Sequence, residues 1–137
     1  MKVVLDTNIY ISWIREQKYR SFLMDVRTYK YLSPVVIMEL WAGAKTKQAA
    51  RIIEKLQKPY LRTNRIIGLN TEHFITVGHV LSDLPADLAT KTKSAGFLND
   101  ILIAMSAISI GATLITANKA DFRQISRYFP ELKTTFV

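Results

Sequence analysis

Four acidic residues stand against stretches that a fold would normally fill with apolar side chains. Asp6 ends the run Lys2-Val3-Val4-Leu5, and Glu39 lies inside Pro34-Val35-Val36-Ile37-Met38-Glu39-Leu40-Trp41. Asp100 follows Asn99 and opens Asp100-Ile101-Leu102-Ile103-Ala104, and Asp121 lies just past Ala112-Thr113-Leu114-Ile115-Thr116-Ala117, in Asn118-Lys119-Ala120-Asp121-Phe122. The chain holds only 11 acidic residues against 19 basic ones. A buried carboxylate with no cation beside it is strongly disfavoured, so four of them in such surroundings call for compensation. A divalent cation supplies it. Mg²⁺, or Mn²⁺ in its place, prefers hard oxygen ligands. A site of this kind suits phosphodiester hydrolysis, in which the metal activates a water and stabilises charge on the scissile phosphate.

Each acid also has a plainer reading. Asp6 with Thr7 and Asn8 fits a strand-end turn or cap. Asp100 fits the first turn of a helix, where the macrodipole favours negative charge. Asp121 fits a helix cap. Glu39 fits a solvated helix face, although Ile37, Met38, Leu40, Trp41 and Ala42 leave little room for one. One shared site explains all four together.

The elements that would position them alternate between strand and helix. Lys2 to Leu5 reads as a central parallel strand. Ile9 to Ile14 reads as a helix with Asn8 as a candidate cap, and a second helix covers about Tyr19 to Thr28. Tyr31-Leu32 is a short strand candidate. Ser33-Pro34 starts a helix to about Ala42 that Gly43 ends. Thr46 to Lys58 has helical periodicity and stops at Pro59. Ile66 to Leu69 reads as a strand, and Asn70-Thr71 caps a helix to about Leu84. The polar stretch from Pro85 to Ala95 includes a helical option at Ala86 to Thr92. Asn99 or Asp100 starts a helix to Ile110. A strand follows at Ala112 to Thr116, then a short helix in Ala120 to Tyr128 and an edge strand at Thr134 to Val137. This order predicts an α/β sandwich with a mainly parallel sheet, in which ligands bind at the carboxyl ends of the strands.

The chain has 137 residues, 49% hydrophobic and 22% charged, which fits one globular domain over 1–137. With no cysteine, disulfides, thiolate metal sites and cysteine nucleophiles are excluded. Asp6 arrives too early for a signal peptide. The uncharged stretch Ile101 to Asn118 is diluted by Ser106, Ser109, Gly111 and Thr113, and reads as buried helix, turn and strand rather than a membrane span. A cytoplasmic protein is expected. The net charge of +8 favours a polyanionic partner.

In order and spacing the four acidic segments resemble those of the PIN-domain family, and within it the small VapC-type toxins of toxin–antitoxin pairs. Leu5-Asp6-Thr7-Asn8 resembles the first motif, Glu39-Leu40-Trp41-Ala42-Gly43 the second, Asn99-Asp100-Ile101-Leu102-Ile103-Ala104 the third and Thr116-Ala117-Asn118-Lys119-Ala120-Asp121-Phe122 the fourth. The resemblance covers the whole chain. It implies a three-layer α/β/α sandwich with a central sheet of four to five strands. It also implies a Mg²⁺-dependent, single-strand-selective endoribonuclease with Asp6, Glu39 and Asp100 as metal ligands. At the fourth position Asn118 stands where relatives often carry an acid. Asp121 is placed ahead of it because it brings charge, with Asn118 ligating through its amide oxygen as the other option. Thr116 would hold a water or phosphate, while Thr7 and Asn8 shape the turn around Asp6. The resemblance further implies a cognate antitoxin whose tail covers the site, and a homodimer.

Lys47, Arg51 and Lys55 share one helix face, extended by Lys58 and Arg62, and such a face can track an RNA backbone. The plainer reading is a solvated face on which Glu54 pairs with Lys58. Arg15, with Lys18 and Arg20, forms a second basic group, and Lys91 with Lys93 a third. His73 and His79 are too far apart along a helix to form a metal pair and read as structural. Trp13 and Trp41 read as buried rather than as partner contacts. A receiver-type signalling domain lacks its phosphoacceptor here, since the strand at Ile66 to Leu69 ends in Asn70. An aspartyl-phosphate phosphatase would want an acid at Asn8. A PIN fold that binds RNA or an antitoxin without efficient cutting is the remaining alternative.

Overall fold

The computed structural model describes residues 1–137. Its centre is a four-stranded, wholly parallel sheet in the order β2-β1-β3-β4. The strands are β1 (Lys2–Leu5), β2 (Tyr29–Tyr31), β3 (Thr113–Thr116) and β4 (Lys133–Phe136). Eight helices connect them: α1 (Thr7–Glu16), α2 (Arg20–Met24), α3 (Pro34–Gly43), α4 (Lys47–Arg62), α5 (Thr71–Asp83), α6 (Ala86–Lys91), α7 (Ala95–Ser109) and α8 (Lys119–Ser126). Successive side chains of a strand point to opposite faces, and Val3, Val4 and Leu5 are all fully buried. Both faces of the sheet are therefore covered, as the unalternating apolar run of β1 requires. Burying a side chain such as Leu5 or Leu114 contributes roughly 1.5–3 kcal/mol.

The chain leaves β1 toward β2 on one side and returns through α3 to α7 to reach β3 on the other. The strand order thus reverses between the carboxyl ends of β1 and β3, the place where open α/β sheets bind ligands. Val3, Val4 and Leu5 register with Thr113, Leu114 and Ile115. That register sets Asp6, the residue after β1, beside Thr116, the last residue of β3.

Several expected elements shift. The strand at Ile66 to Leu69 reduces to one parallel bridge between Leu32 and Ile66. Beside it, Ser33 turns away to cap α3, accepting from Val35 N at 3.2 Å, so no further backbone is available to pair. Helix α4 does not stop at Pro59 but runs on to Arg62. The proline removes one backbone donor, yet the following turn is anchored by buried Tyr60, whose hydroxyl lies 2.9 Å from that of Tyr10. Helix α1 is capped by Asp6, not Asn8, which lies inside the first turn. Helix α2 is shorter than expected because Asp25 starts a turn, accepting from the backbone and side chain of Arg27. Helix α7 begins at Ala95, so Asp100 falls in its second turn and the macrodipole reading of this acid lapses. Phe97 and Ile101, one turn apart and both buried, explain the early start. No helix is long and apolar enough to cross a membrane.

Candidate active site

The acids meet at the switch point, each delivered by a different element. Asp6 is buried, and its backbone N–H donates to Ile115 O at 2.9 Å. Its Oδ1 accepts from Thr7 N at 2.7 Å. Its Oδ2 accepts from Thr116 Oγ1 at 2.6 Å and from Asn8 Nδ2 at 3.0 Å. Asn8 also locks the two strand ends together, because its Oδ1 accepts from Ala117 N at 3.2 Å. Thr7 reaches the second acid: its hydroxyl donates to Glu39 Oε1 at 2.6 Å. Glu39 comes from the middle of α3, partly buried, with Asn99 Nδ2 3.4 Å from its other oxygen. Asp100 enters from α7 and accepts from Asn118 Nδ2 at 3.1 Å. Asp121 comes from α8 and accepts from the same Nδ2 at 3.0 Å.

The electrostatics follow from this crowding. Burial pushes the carboxyl of Asp100 up to about 8, and the negative charges of Asp6, Asp121 and Glu39 add to it. Burial likewise raises Asp6, opposed by the hydrogen bonds from Thr116 and Thr7, with the charge of Glu39 raising it further. Asp121 moves the other way. Burial alone would raise it, but the Lys91 ammonium and the amide of Asn118 outweigh that and hold it below the usual carboxylate range. Two acids pushed up and one held down by a lysine mark an environment built for unequal roles.

Asp6, Glu39 and Asp100 offer an all-oxygen donor set on rigid elements, which fits Mg²⁺ or Mn²⁺ and not a softer metal. The mutual repulsion that lifts Asp100 is the charge a divalent ion would neutralise. No three acids already stand in ligating geometry, because their oxygens are turned to Thr7, Asn8, Asn99, Thr116 and Asn118. The chemistry of the donor set fits the ion.

The fourth segment differs from its sequence-based expectation. Asn118 caps α8, its Oδ1 accepting from Asp121 N at 3.4 Å, so its NH₂ and not its oxygen faces the acids. Ligation through that oxygen would require the amide to turn and the cap to break. Asp121 is not a free carboxylate, being ion-paired with Lys91. Lys91 is therefore part of the site rather than open RNA-binding surface. Asn99 and Gln124 also join the polar network. Asn99 adjoins Asp100 in the sequence, whereas nothing in the sequence links Lys91 to an acid thirty positions on.

Arg15 is exposed and lines a hollow with Glu39, Ile11, Ile14, Leu40 and Ile52, between α1, α3 and α4. A second depression, sharing Ile52, is lined by Arg51, Lys55 and Lys58 with Gln48 and Glu54. Lys47, Arg51 and Lys55 are exposed, and Glu54 makes no ion pair with Lys58. Lys18 pairs with Glu16 at the surface. His73 has the structural role expected, its Nδ1 accepting from Asn70 N in a capping box. Trp41 is exposed, contrary to expectation, with its Nε1 donating to Gln57 at 2.9 Å.

A family model described as the PIN domain matches residues 3–128. Ribonuclease VapC1 of Rickettsia felis is 26% identical over 132 residues, covering 91% of each chain. The crystal structure of VapBC2 from Rickettsia felis, bound to a DNA fragment from their promoter, superposes with a TM-score of 0.68 at 26% identity, covering 100% of this chain and 99% of that one. The 2.2 Å structure of VapBC-1 from nontypeable Haemophilus influenzae gives 0.66 at 25%, with 99% and 98% covered.

Proposed function

This chain belongs to the PIN-domain family, and from that premise we propose that it is a metal-dependent endoribonuclease, the toxin of a toxin–antitoxin pair. The observation that carries the reading is the convergence of Asp6, Glu39 and Asp100 at the switch point, with Asp100 raised to about 8 by burial and by its acidic neighbours. The similarity to a ribonuclease VapC1 and to toxin chains within VapBC complexes supports the choice of RNA as substrate and of an antitoxin as partner.

In this reading Asp6, Glu39 and Asp100 hold Mg²⁺, with Mn²⁺ able to replace it. The ion supplies Lewis-acid activation of water and neutralises charge at the scissile phosphate. Thr116 and Asn8 hold Asp6, and Thr7 holds Glu39, beside the shared centre, and these carboxylates would turn from those donors toward the ion when it binds. Asn118 holds Asp100 and Asp121 in register. Arg15 and the basic face of α4 contact the phosphates of a single strand without reading its bases. The apolar hollow between α1, α3 and α4 receives an antitoxin segment, which would also cover Glu39. A homodimer belongs to the same reading, and the adjacent exposed side chains of Phe74 and Ile75 on α5 offer apolar surface for it.

The deciding experiment is cleavage of single-stranded and structured RNAs by purified, antitoxin-free protein, with Mg²⁺, Mn²⁺ or EDTA, beside an Asp100→Asn control. Metal-dependent cleavage of single strands, abolished in the variant, is expected. A folded protein that binds RNA or antitoxin but cuts nothing would replace this reading with that of a binding module.

A further inference from the structure

Asp121 is held differently from the other three acids. Its Oδ1 accepts from Lys91 Nζ at 2.5 Å, and its Oδ2 from Asn118 Nδ2 at 3.0 Å. Lys91 reaches in from the end of α6 and is fixed at three points. Besides Asp121, its ammonium donates to Gln124 Oε1 at 2.8 Å and stands 4.5 Å from the centre of the Phe97 ring. The ring face is a further site of attraction for a cation. Lysine ammoniums carry three donors on a flexible stem, yet this one is immobilised between α7 and α8. Asn118 cannot readily present an oxygen instead, because its Oδ1 caps α8. Both oxygens of Asp121 thus face donors. Asp6, Glu39 and Asp100 have no cationic side chain paired with them.

We propose that Lys91 serves as a fixed cation for the Asp121 half of the site, so that the acids take a single divalent ion, on Asp6, Glu39 and Asp100, and Asp121 positions its neighbours instead of ligating. The inference rests on the metal reading proposed above and decides the number of ions within it. A second divalent ion at Asp121 would have to displace the ammonium from Oδ1 or stand against it at hydrogen-bond range, where like charges repel strongly in a partly dehydrated site. One ion together with Lys91 offsets three of the four carboxylate charges. Lys91 then supplies at Asp121 the positive charge that a second metal would otherwise bring there, without exchange with solution.

Mn²⁺ binding to the full chain, measured without RNA by calorimetry and by the electron paramagnetic resonance of free Mn²⁺, tests this apart from activity. The wild type takes one Mn²⁺ per chain. Asp121→Asn keeps that ion with affinity within about threefold, whereas Asp100→Asn weakens it at least tenfold. Lys91→Met frees Asp121 and gains a second ion, while Lys91→Arg, which keeps the charge, stays at one. Two ions on the wild type, or equal weakening by Asp121→Asn and Asp100→Asn, would overturn the proposal even if Lys91→Met failed to fold. A folded Lys91→Met variant that remains at one ion would overturn it too. A folded wild type that takes up no Mn²⁺ would instead refute the metal reading beneath it.

Discussion

Replacing Asp100 with asparagine removes a carboxyl that burial and the charges of Asp6, Asp121 and Glu39 push up from 3.8 to about 8. Between those values the folded chain keeps a proton that the unfolded chain has released. Stability in the absence of metal therefore falls as pH rises from about 4 to about 8, and is level above that. By pH 7 the part of this loss already incurred is about 4 kcal/mol, at about 1.36 kcal/mol per pH unit above the unfolded value. Asp100 is only partly buried, and water screening roughly halves the effect, to ~2 kcal/mol. At about 2.1 cal/mol/K per residue, a chain of 137 residues converts this to roughly 7 °C in Tm. Thermal unfolding by circular dichroism in EDTA, from pH 5 to pH 8.5, reads it directly. Asp100→Asn is expected to be the more stable protein, with an advantage that is smaller at pH 5, reaches roughly 7 °C near pH 7 and grows further toward pH 8. Added Mn²⁺ should raise the Tm of the wild type much more than that of the variant. A difference independent of pH, or a wild type more stable than the variant at pH 8 in EDTA, would refute the account of crowded acids.

Three further outcomes follow from the same contacts. Thr116→Val removes the hydroxyl that donates to Asp6 Oδ2 at 2.6 Å; urea unfolding should register a loss of about 1–3 kcal/mol, and the variant should bind Mn²⁺ more weakly. Tyr10→Phe and Tyr60→Phe each strand one member of the buried hydroxyl pair that ties α1 to α4. Each should cost about 1–3 kcal/mol, and the double variant distinctly less than the sum, which a double-mutant cycle by denaturant unfolding measures. Arg51→Glu with Lys55→Glu should weaken binding of single-stranded RNA alike for different sequences. If each residue meets one phosphate, the slope of log K against log salt falls by about 1.4, measurable by fluorescence anisotropy of a labelled strand.

The site was legible where chemistry and local sequence coincide. Asp6 and Thr116 end strands whose apolar runs announce them, and adjacent parallel pairing then brings the two together at 2.6 Å. Glu39 was legible because an acid amid Ile37, Met38, Leu40 and Trp41 has no ordinary reason to be there. The Ser33-Pro34 start of α3 and the Asn70 cap of α5 are local signals, formed within a few residues, and both stand in the structure. Asp100 lies beside the other acids, but on the second turn of its helix and not the first, since the buried Phe97 extends α7 backward beyond what the Asn99-Asp100 pair signals.

Tertiary contacts decided the rest. Pro59 should stop a helix on local grounds, yet α4 continues because Tyr60 is anchored to Tyr10 from fifty residues away. Ile66 to Leu69 has strand composition, but the neighbouring chain turns at Ser33 and leaves it nothing to pair with. The pairing of Lys91 with Asp121 is the plainest case. It joins the end of α6 to α8 through one side chain, and no periodicity or cap encodes such a meeting. Sequence by itself determined which residue types must be compensated, because burial of charge is penalised wherever it occurs. Only the folded chain decided what compensates each one, because that depends on which distant donor comes within 3 Å.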